Sequence, residues 1–214
     1  MTFQVTIEPV GETVEVEEEQ TLLDACLRAG IWLPYACNHG LCGTCKVQVL
    51  EGEVAHNDAS AFALMDVERD EGKTLACCAT LASDIVIEAD IDEEPDALQL
   101  PVEDWTATVE RVEPLTPTIR GVFLKVNEPG FEFQAGQYVN VDFPGIDGPR
   151  AFSLASAPSE SLLELNIRLV EGGAATTFVH EQLQPGATLG FSGPLGRFFV
   201  RKSAPEPILF LAGG

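Results

Sequence analysis

The spacing of the cysteines constrains this chain more than any other feature of its sequence. Three of its six cysteines stand in a C-x4-C-x2-C pattern, and a fourth follows on a distant segment; the four are Cys37, Cys42, Cys45 and Cys77. Four thiolates can hold two irons, and three from one loop plus one from elsewhere is the plant-type [2Fe–2S] arrangement. Glycines at 40 and 43 give the loop backbone freedom, because they lack a Cβ. The pattern predicts a cluster ligated by the three loop cysteines and by one cysteine of the distant segment.

Other interpretations of the cysteines stay open at this point. Cys78 directly follows Cys77, so spacing alone leaves either as the fourth ligand. Structural zinc is the main competitor, but zinc knuckles usually show paired C-x2-C units and one unit exists here. Rieske-type ligation would need two histidines in place of two cysteines, so His39 is interpreted as a loop residue. Cys26 lies on the apolar face of a predicted helix and is interpreted as structural.

The charge balance narrows the possible partners. Twelve Lys and Arg oppose 34 Asp and Glu, which gives a net charge of −22. Nucleic acid and anionic membranes both demand basic residues, so both are excluded as partners. The acidic surface suits a protein partner with a basic patch, although it could serve only solubility. With no signal peptide or membrane-spanning apolar run, a cytoplasmic location is expected.

Residues 1–92 are predicted to form a small α+β domain. Alternating apolar residues indicate a hairpin, Thr21 is a suitable N-cap for a helix that ends at Gly30, and a cysteine loop follows. The remaining predicted elements are a strand at 46–50, a helix at 59–70 and a strand at 84–91. An acidic, proline-marked segment, 93–104, is interpreted as a linker.

Residues 105–203 are predicted to form an antiparallel barrel, because short strands alternate with Gly and Pro turn signals. The predicted strands are 106–112, 118–126, 138–143, 163–170 and 187–191. Residues 204–214 are interpreted as a stub of a further domain, with a buried-type strand that runs into the final glycines.

Two motifs in the second half indicate a flavin. Arg150-Ala151-Phe152-Ser153 opens a strand, where the Arg can pair with a diphosphate and the aromatic ring can pack on a ring system. A glycine-rich turn then precedes a short helix predicted at 178–183, and a helix N-terminus can cradle phosphate. Read alone, that stretch is an ordinary turn; together the motifs favour a cofactor site.

At this point the sequence resembles the NADH-dependent reductase components of bacterial multicomponent oxygenases. The resemblance rests on the motifs at 37–45, 75–79 and 150–153, and the stretches at 62–71 and 144–148 resemble the phenol hydroxylase subgroup. It implies a β-grasp ferredoxin domain followed by a Greek-key FAD barrel, and it selects Cys77 as the fourth ligand.

The resemblance also implies roles in FAD binding. Arg150 would hold the diphosphate, Phe152, where the family usually has Tyr, would pack on the flavin, and Ser153 would approach its N5 atom. The full predicted cofactor-binding set is Arg150, Phe152, Ser153, Arg168, Gly173, Ala174, Ala175 and Thr176. No residue is expected to act as a catalytic acid, base or nucleophile.

The function implied is electron transfer from NADH through FAD and the cluster to a di-iron hydroxylase. The family's NAD-binding domain would begin where this chain ends, so the 214-residue chain is expected to hold both redox centres but to react slowly or not at all with NADH. Alternatives within the family are reductases of other aromatic or alkane oxygenases or of deoxysugar biosynthesis. Alternatives outside the family are a flavin-free ferredoxin-type carrier or redox sensor, and a zinc-binding interaction module.

Overall fold

A five-stranded mixed sheet forms the centre of the N-terminal domain. In the computed structural model, which describes residues 1–91 and 95–211, the sheet order is β2-β1-β7-β3-β5, with β1 and β7 parallel. The strands are β1 (Thr2–Glu8), β2 (Glu12–Glu17), β3 (Lys46–Glu51), β5 (Lys73–Leu75) and β7 (Ile85–Glu88), and a separate ribbon pairs β4 (Val54–Ala55) with β6 (Thr80–Leu81). The predicted α+β domain has this mixed β-grasp sheet.

The first helix, α1 (Leu22–Arg28), covers one face of this sheet. Thr21 caps it as the sequence predicts, since its hydroxyl accepts a hydrogen bond from the Asp24 amide at 3.3 Å. Five of its seven residues are buried: Leu22, Leu23, Ala25, Cys26 and Leu27. Cys26 therefore lies in the apolar core, where burial raises the pKa of its thiol to about 12.

The helix predicted at 59–70 is wrong over its first half. Helical structure is confined to α2 (Asp66–Asp70), and the segment before it consists of turns. The Ser60 amide donates to the carbonyl of Gly40 at 3.0 Å, which fastens this segment to the cysteine loop. Phe62, which lies within that predicted helix, is 98% exposed.

The second domain is a curled antiparallel sheet with the order β11-β10-β13-β8-β9-β12. A bridge between Leu154 and Leu165 connects its two edges, so the sheet is almost closed as a barrel. Its elements are β8 (Glu103–Thr116), β9 (Ile119–Val126), β10 (Tyr138–Asp142), β11 (Arg150–Ser153), β12 (Leu163–Arg168), α3 (Ala174–Glu181) and β13 (Thr188–Leu195). Alternate strand residues fill one apolar core.

Several boundaries differ from the sequence-based expectation. Strand β8 begins at Glu103, inside the predicted linker, and α3 begins at Ala174 rather than at 178. The buried-type strand predicted at the C-terminal end is not found in its described part, 207–211, where Ile208 to Leu211 are more than half exposed. Residues 212–214 of that predicted strand lie outside the described residues.

The segment 95–104 is fastened to both domains, although most of its residues are exposed. Val102 is 3% exposed in the core of the first domain, and its amide donates to the Leu27 carbonyl at 3.1 Å. Asp104 accepts two hydrogen bonds of 3.0 Å from Arg28. Residues 92–94 lie outside the described residues. Within the two described ranges, no helix has the length and apolarity to cross a membrane.

Candidate functional site

The cysteine loop follows α1 and depends on two glycines. Gly40 has φ +69° and Gly43 has φ +75°, a region that residues with a Cβ adopt rarely. A Cβ on Gly40 would also lie 2.6 Å from the sulfur of Cys78 and 3.0 Å from the carbonyl oxygen of Asp58. The loop can therefore lie against segment 58–60 because position 40 has no side chain.

The four predicted ligands form two pairs of thiols. The sulfurs of Cys45 and Cys77 lie 3.2 Å apart, and Cys37 is near enough to Cys42 to help lower the pKa of that thiol. All six cysteines of the chain are free. In the described part of the chain, no three His, Cys, Asp or Glu side chains converge as ligands of one metal ion. Two thiol pairs fit a binuclear cluster, in which each iron takes two cysteines.

One thiol in each pair ionises readily. Hydrogen bonds to Thr44 lower the pKa of Cys42 to about 6. The hydrogen bond with Cys45 likewise lowers the pKa of Cys77 to about 6, while the pKa of Cys45 is raised by the same bond and by burial. Thiolates are the form that ligates metal, so the loop is chemically suited to its predicted role.

Cys78 and His39 are placed differently from the four ligands. The sulfur of Cys78 lies 3.7 Å from that of Cys77, and burial raises the pKa of Cys78 to about 12. The geometry thus brings Cys77, not Cys78, to Cys45. His39 contributes its backbone amide, which donates to the Cys37 sulfur at 3.4 Å.

The predicted flavin strand, β11, lies at one edge of the curled sheet and pairs with β10. Phe152 stands opposite Val139 in this register, and its ring meets Phe143 edge to face at 6.0 Å between centroids. Phe143 contacts Phe178 of α3 at the same separation. This chain of rings joins two of the elements that the sequence assigns to the cofactor.

Arg150 is exposed and folded onto the turn before it. Its Nη1 donates to the carbonyl oxygens of Asp147, Gly148 and Pro149 at 2.9 to 3.1 Å. These bonds use only the Nη1 atom, so the remaining N–H groups of the guanidinium can bind a phosphate.

The glycine-rich turn forms the start of α3. Gly173 is its N-cap and has no side chain to satisfy the first amides, which are the groups that bind phosphate at helix starts. A Cβ on Gly173 would lie 2.7 Å from the Thr176 hydroxyl oxygen, which donates to the Gly173 carbonyl at 3.1 Å. Of the other predicted contacts, Ala174 and Ala175 lie in the first turn, and Arg168 ends β12 with an exposed side chain.

The sequence did not reveal the cleft between the two domains. This cleft has a volume of about 240 Å³, and its walls include Cys77 and Asn38 from the first domain and Asn140 and Ser192 from the barrel. One member of the buried thiol pair therefore faces the barrel directly. Single polar residues on separate strands carry no sequence signal for such a cleft.

The two halves together define a class of protein: a redox protein in which a four-cysteine cluster domain is joined to a flavin-binding barrel. Comparison with known families supports this class. Residues 5–82 match the family described as 2Fe-2S iron-sulfur cluster binding domain, and residues 107–200 match the oxidoreductase FAD-binding domain. The predicted [2Fe–2S] and FAD cofactors are confirmed at the level of these families, while the individual site residues remain predictions.

Relatives that span the whole chain identify the family more closely. The chain is 61% identical to the phenol hydroxylase P5 protein of Acinetobacter pittii and 59% identical to the phenol 2-monooxygenase reductase component DmpP of Pseudomonas sp. (strain CF600). Each alignment covers 100% of this chain and 61% of the relative, so the chain spans about three fifths of their length. The chain belongs to this family of iron–sulfur flavoprotein reductase components, which confirms the resemblance.

Solved structures support the same arrangement. The Amycolatopsis cytochrome P450 reductase GcoB superimposes with a TM-score of 0.84 at 40% identity, over 94% of this chain and 60% of that chain. The ferredoxin reductase in carbazole 1,9a-dioxygenase gives a TM-score of 0.76 at 29% identity, over 95% and 61%. These two neighbours are named for systems with different terminal oxygenases.

Proposed function

We propose that this chain is the flavin and iron–sulfur part of an NADH-dependent reductase component that delivers electrons to a di-iron oxygenase, in the first place a phenol hydroxylase. The observation that carries the proposal is the shared cleft. The thiol of Cys77 lies on one wall, and Asn140 of β10, the strand next to the flavin motif, lies on the other. Two redox centres held in this way would exchange electrons within one chain.

The chain's own residues would bind and orient both groups. Cys45 and Cys77, whose sulfurs lie 3.2 Å apart, would hold one iron, and Cys37 and Cys42 would hold the other. Arg150 and the first amides of α3 would bind the FAD diphosphate, and Phe152 would offer a ring face. When bound, FAD accepts a hydride's two electrons and passes them on singly.

The proposed partner surface lies on the outer side of the cysteine loop. Leu41 is 67% exposed, Phe62 is 98% exposed, and the segment that follows Phe62 carries Asp66 and Asp70 on its surface. Exposed apolar groups among acids fit a partner with an apolar depression and a basic rim. The six free thiols are consistent with a reducing, cytoplasmic location, which we include in the proposal.

The first experiment measures what the purified chain binds. Visible absorption with iron, sulfide and flavin quantitation should give about two irons, two sulfides and one FAD per chain, which is the content of one [2Fe–2S] cluster and one flavin. A colourless protein or one zinc per chain would overturn the proposal. Iron and sulfide without flavin would instead support the ferredoxin-type carrier.

The second experiment identifies the acceptor. The chain is reduced photochemically, so that NADH is not needed, and is mixed with a di-iron phenol hydroxylase or with a cytochrome P450. We expect fast reoxidation by the di-iron protein and slow reoxidation by the haem protein. The reverse order would assign the chain to a P450 system, as in the GcoB relative.

A further inference from the structure

The only two tyrosines of the chain meet where the two domains join. Tyr35 stands two residues before the first cluster cysteine, and Tyr138 is the first residue of β10 in the barrel. Tyr35 is 7% exposed in the core of the first domain, and the partly buried Tyr138 packs against that same core.

Three segments converge at the tyrosine hydroxyls. The Gly196 amide, directly after β13, donates to the Tyr35 hydroxyl oxygen at 2.5 Å. The two phenols are close enough for each to shift the pKa of the other. Gly196 has φ +97°, and a Cβ there would lie 3.0 Å from the Tyr138 ring. A side chain at 196 would therefore crowd the ring.

The tyrosine pair lies between the two predicted redox sites. In the β10–β11 register Tyr138 is opposite Ser153, and directly opposed residues point to the same face of a sheet. Ser153 is the residue that the sequence places near the flavin ring. On the other side Tyr35 leads within two residues into Cys37. The two tyrosines thus connect the strand of Ser153 to the segment that leads into the cluster loop.

We propose that Tyr35 and Tyr138 are positioning residues that fix the flavin strand and the cluster loop in register for one-electron transfer. This inference rests on the proposed function. Transfer of one electron oxidises the flavin by one electron and reduces one ferric ion to ferrous. No bond is made or broken, and both phenols keep their protons.

The two tyrosines are not needed merely to hold the domains together, because other contacts cross the same junction. Arg28 and Asp104 form two hydrogen bonds across the same junction, and Val102 and Leu195 extend the first domain's core. A buried hydroxyl that lacks a partner is costly, so a phenol pair specifies one arrangement where two phenylalanines would allow sliding.

The test uses the chain loaded with FAD and cluster, in its original form and as Tyr35→Phe. After flash photoreduction, we expect electron redistribution from flavin to cluster to slow several-fold, with both midpoint potentials unchanged. Exchange of the Gly196 amide should rise about fivefold, the factor that corresponds to loss of one hydrogen bond of ~1 kcal/mol. An unchanged transfer rate, or unchanged exchange at Gly196, would overturn the inference.

Two further variants keep the test decisive. Tyr138→Phe should slow transfer as Tyr35→Phe does, and the double variant should add little, because both changes break one connection. Additive slowing in the double variant would contradict the inference that the two tyrosines act as one unit. Asp104→Asn is the matched control, because it weakens the same junction at a different point; equal slowing there would show that the tyrosines act only as adhesion. Failure of the chain to bind FAD or cluster would instead refute the proposed function.

Discussion

The two sides of the cysteine loop differ in almost every physical respect. On the inner side Cys45 and Cys77 are buried, their sulfurs are 3.2 Å apart, and Cys77 lines the cleft shared with the barrel. On the outer side Cys42 is exposed, and Leu41 and Phe62 project from neighbouring turns.

Under the proposed function, this difference implies that electrons reach the cluster from the inner side and leave it from the outer side. The inner side has fixed neighbours within the chain and a low dielectric, which suits a constant distance to the flavin. The outer side has a large exposed aromatic residue that nothing in the described chain covers, which suits a transient contact. We therefore expect changes on the inner side to affect cofactor content or internal transfer, and changes on the outer side to affect delivery alone.

The largest expected effect concerns the inner thiol pair. Cys77→Ala should abolish the cluster, because it removes one of the two thiolates of an iron, whereas Cys78→Ala should keep it. Visible absorption with iron and sulfide quantitation distinguishes the two variants. A cluster that survives in Cys77→Ala and is lost in Cys78→Ala would reverse the assignment of the fourth ligand.

The second prediction concerns binding of FAD, the group that would supply electrons to the inner side of the loop. Arg150→Ala should weaken FAD binding roughly ten- to hundredfold, since hydrogen bonds to charged groups contribute about 1.5–3 kcal/mol. Flavin fluorescence titration measures the affinity. Arg111→Ala is the control, because Arg111 covers the Phe123 ring at 3.6 Å and pairs with Glu113 on β8. Cluster content should stay unchanged in both variants, and equal losses of FAD affinity would remove Arg150 from the site.

The third prediction concerns the outer side. Phe62→Ser should weaken productive docking to the oxygenase by about tenfold or more, because burying an aromatic side chain contributes roughly 1.5–3 kcal/mol. The measurement is the concentration dependence of acceptor reduction. Stability should not change, since Phe62 is 98% exposed.

Leu115→Ser serves as a control for the outer side, because Leu115 is 44% exposed on the barrel. It should leave acceptor reduction unaltered. If Phe62→Ser slows flavin-to-cluster transfer instead of delivery, the two sides of the loop are not separated as we describe.

The smallest expected effect is at the edge of the junction. Asp104→Asn should lower the free energy of unfolding by less than about 1 kcal/mol, because exposed ion pairs contribute little. The carboxylate of Asp104 is 72% exposed, and Arg28 keeps its contact with Asp24 at 3.0 Å. Urea unfolding measures the change. A loss of several kcal/mol would mean that this ion pair, rather than the apolar contacts, holds the domains together.

Features that depend on neighbouring residues were predicted from the sequence better than contacts between residues far apart in the chain. The cysteine spacing and the Thr21 cap depend on neighbours within a few residues, so the sequence displays them directly. The 59–70 helix was wrong over its first half, where the Ser60 amide bonds to Gly40, some twenty residues earlier in the chain. The tyrosine contact joins positions about a hundred residues apart, and neither position has a local signature.

The flavin site is intermediate between these extremes. Its two motifs are local: the Arg motif lies on β11, as predicted, and the glycine-rich motif lies at the start of α3, which begins four residues before the predicted helix. Their connection through Phe143 and Phe178 depends on how the barrel curls, which no short pattern encodes.

The burial of Val102 has a practical consequence for where the chain can be cut. An isolated ferredoxin unit that stops at 92, where the acidic stretch suggests a boundary, would leave the Leu27 carbonyl with the Gly30 amide as its donor but without the Val102 amide, and would uncover the apolar position that Val102 fills. A fragment extended through Asp104 would keep both, together with the Arg28 ion pair. The better excision point therefore lies about a dozen residues further on than composition suggests.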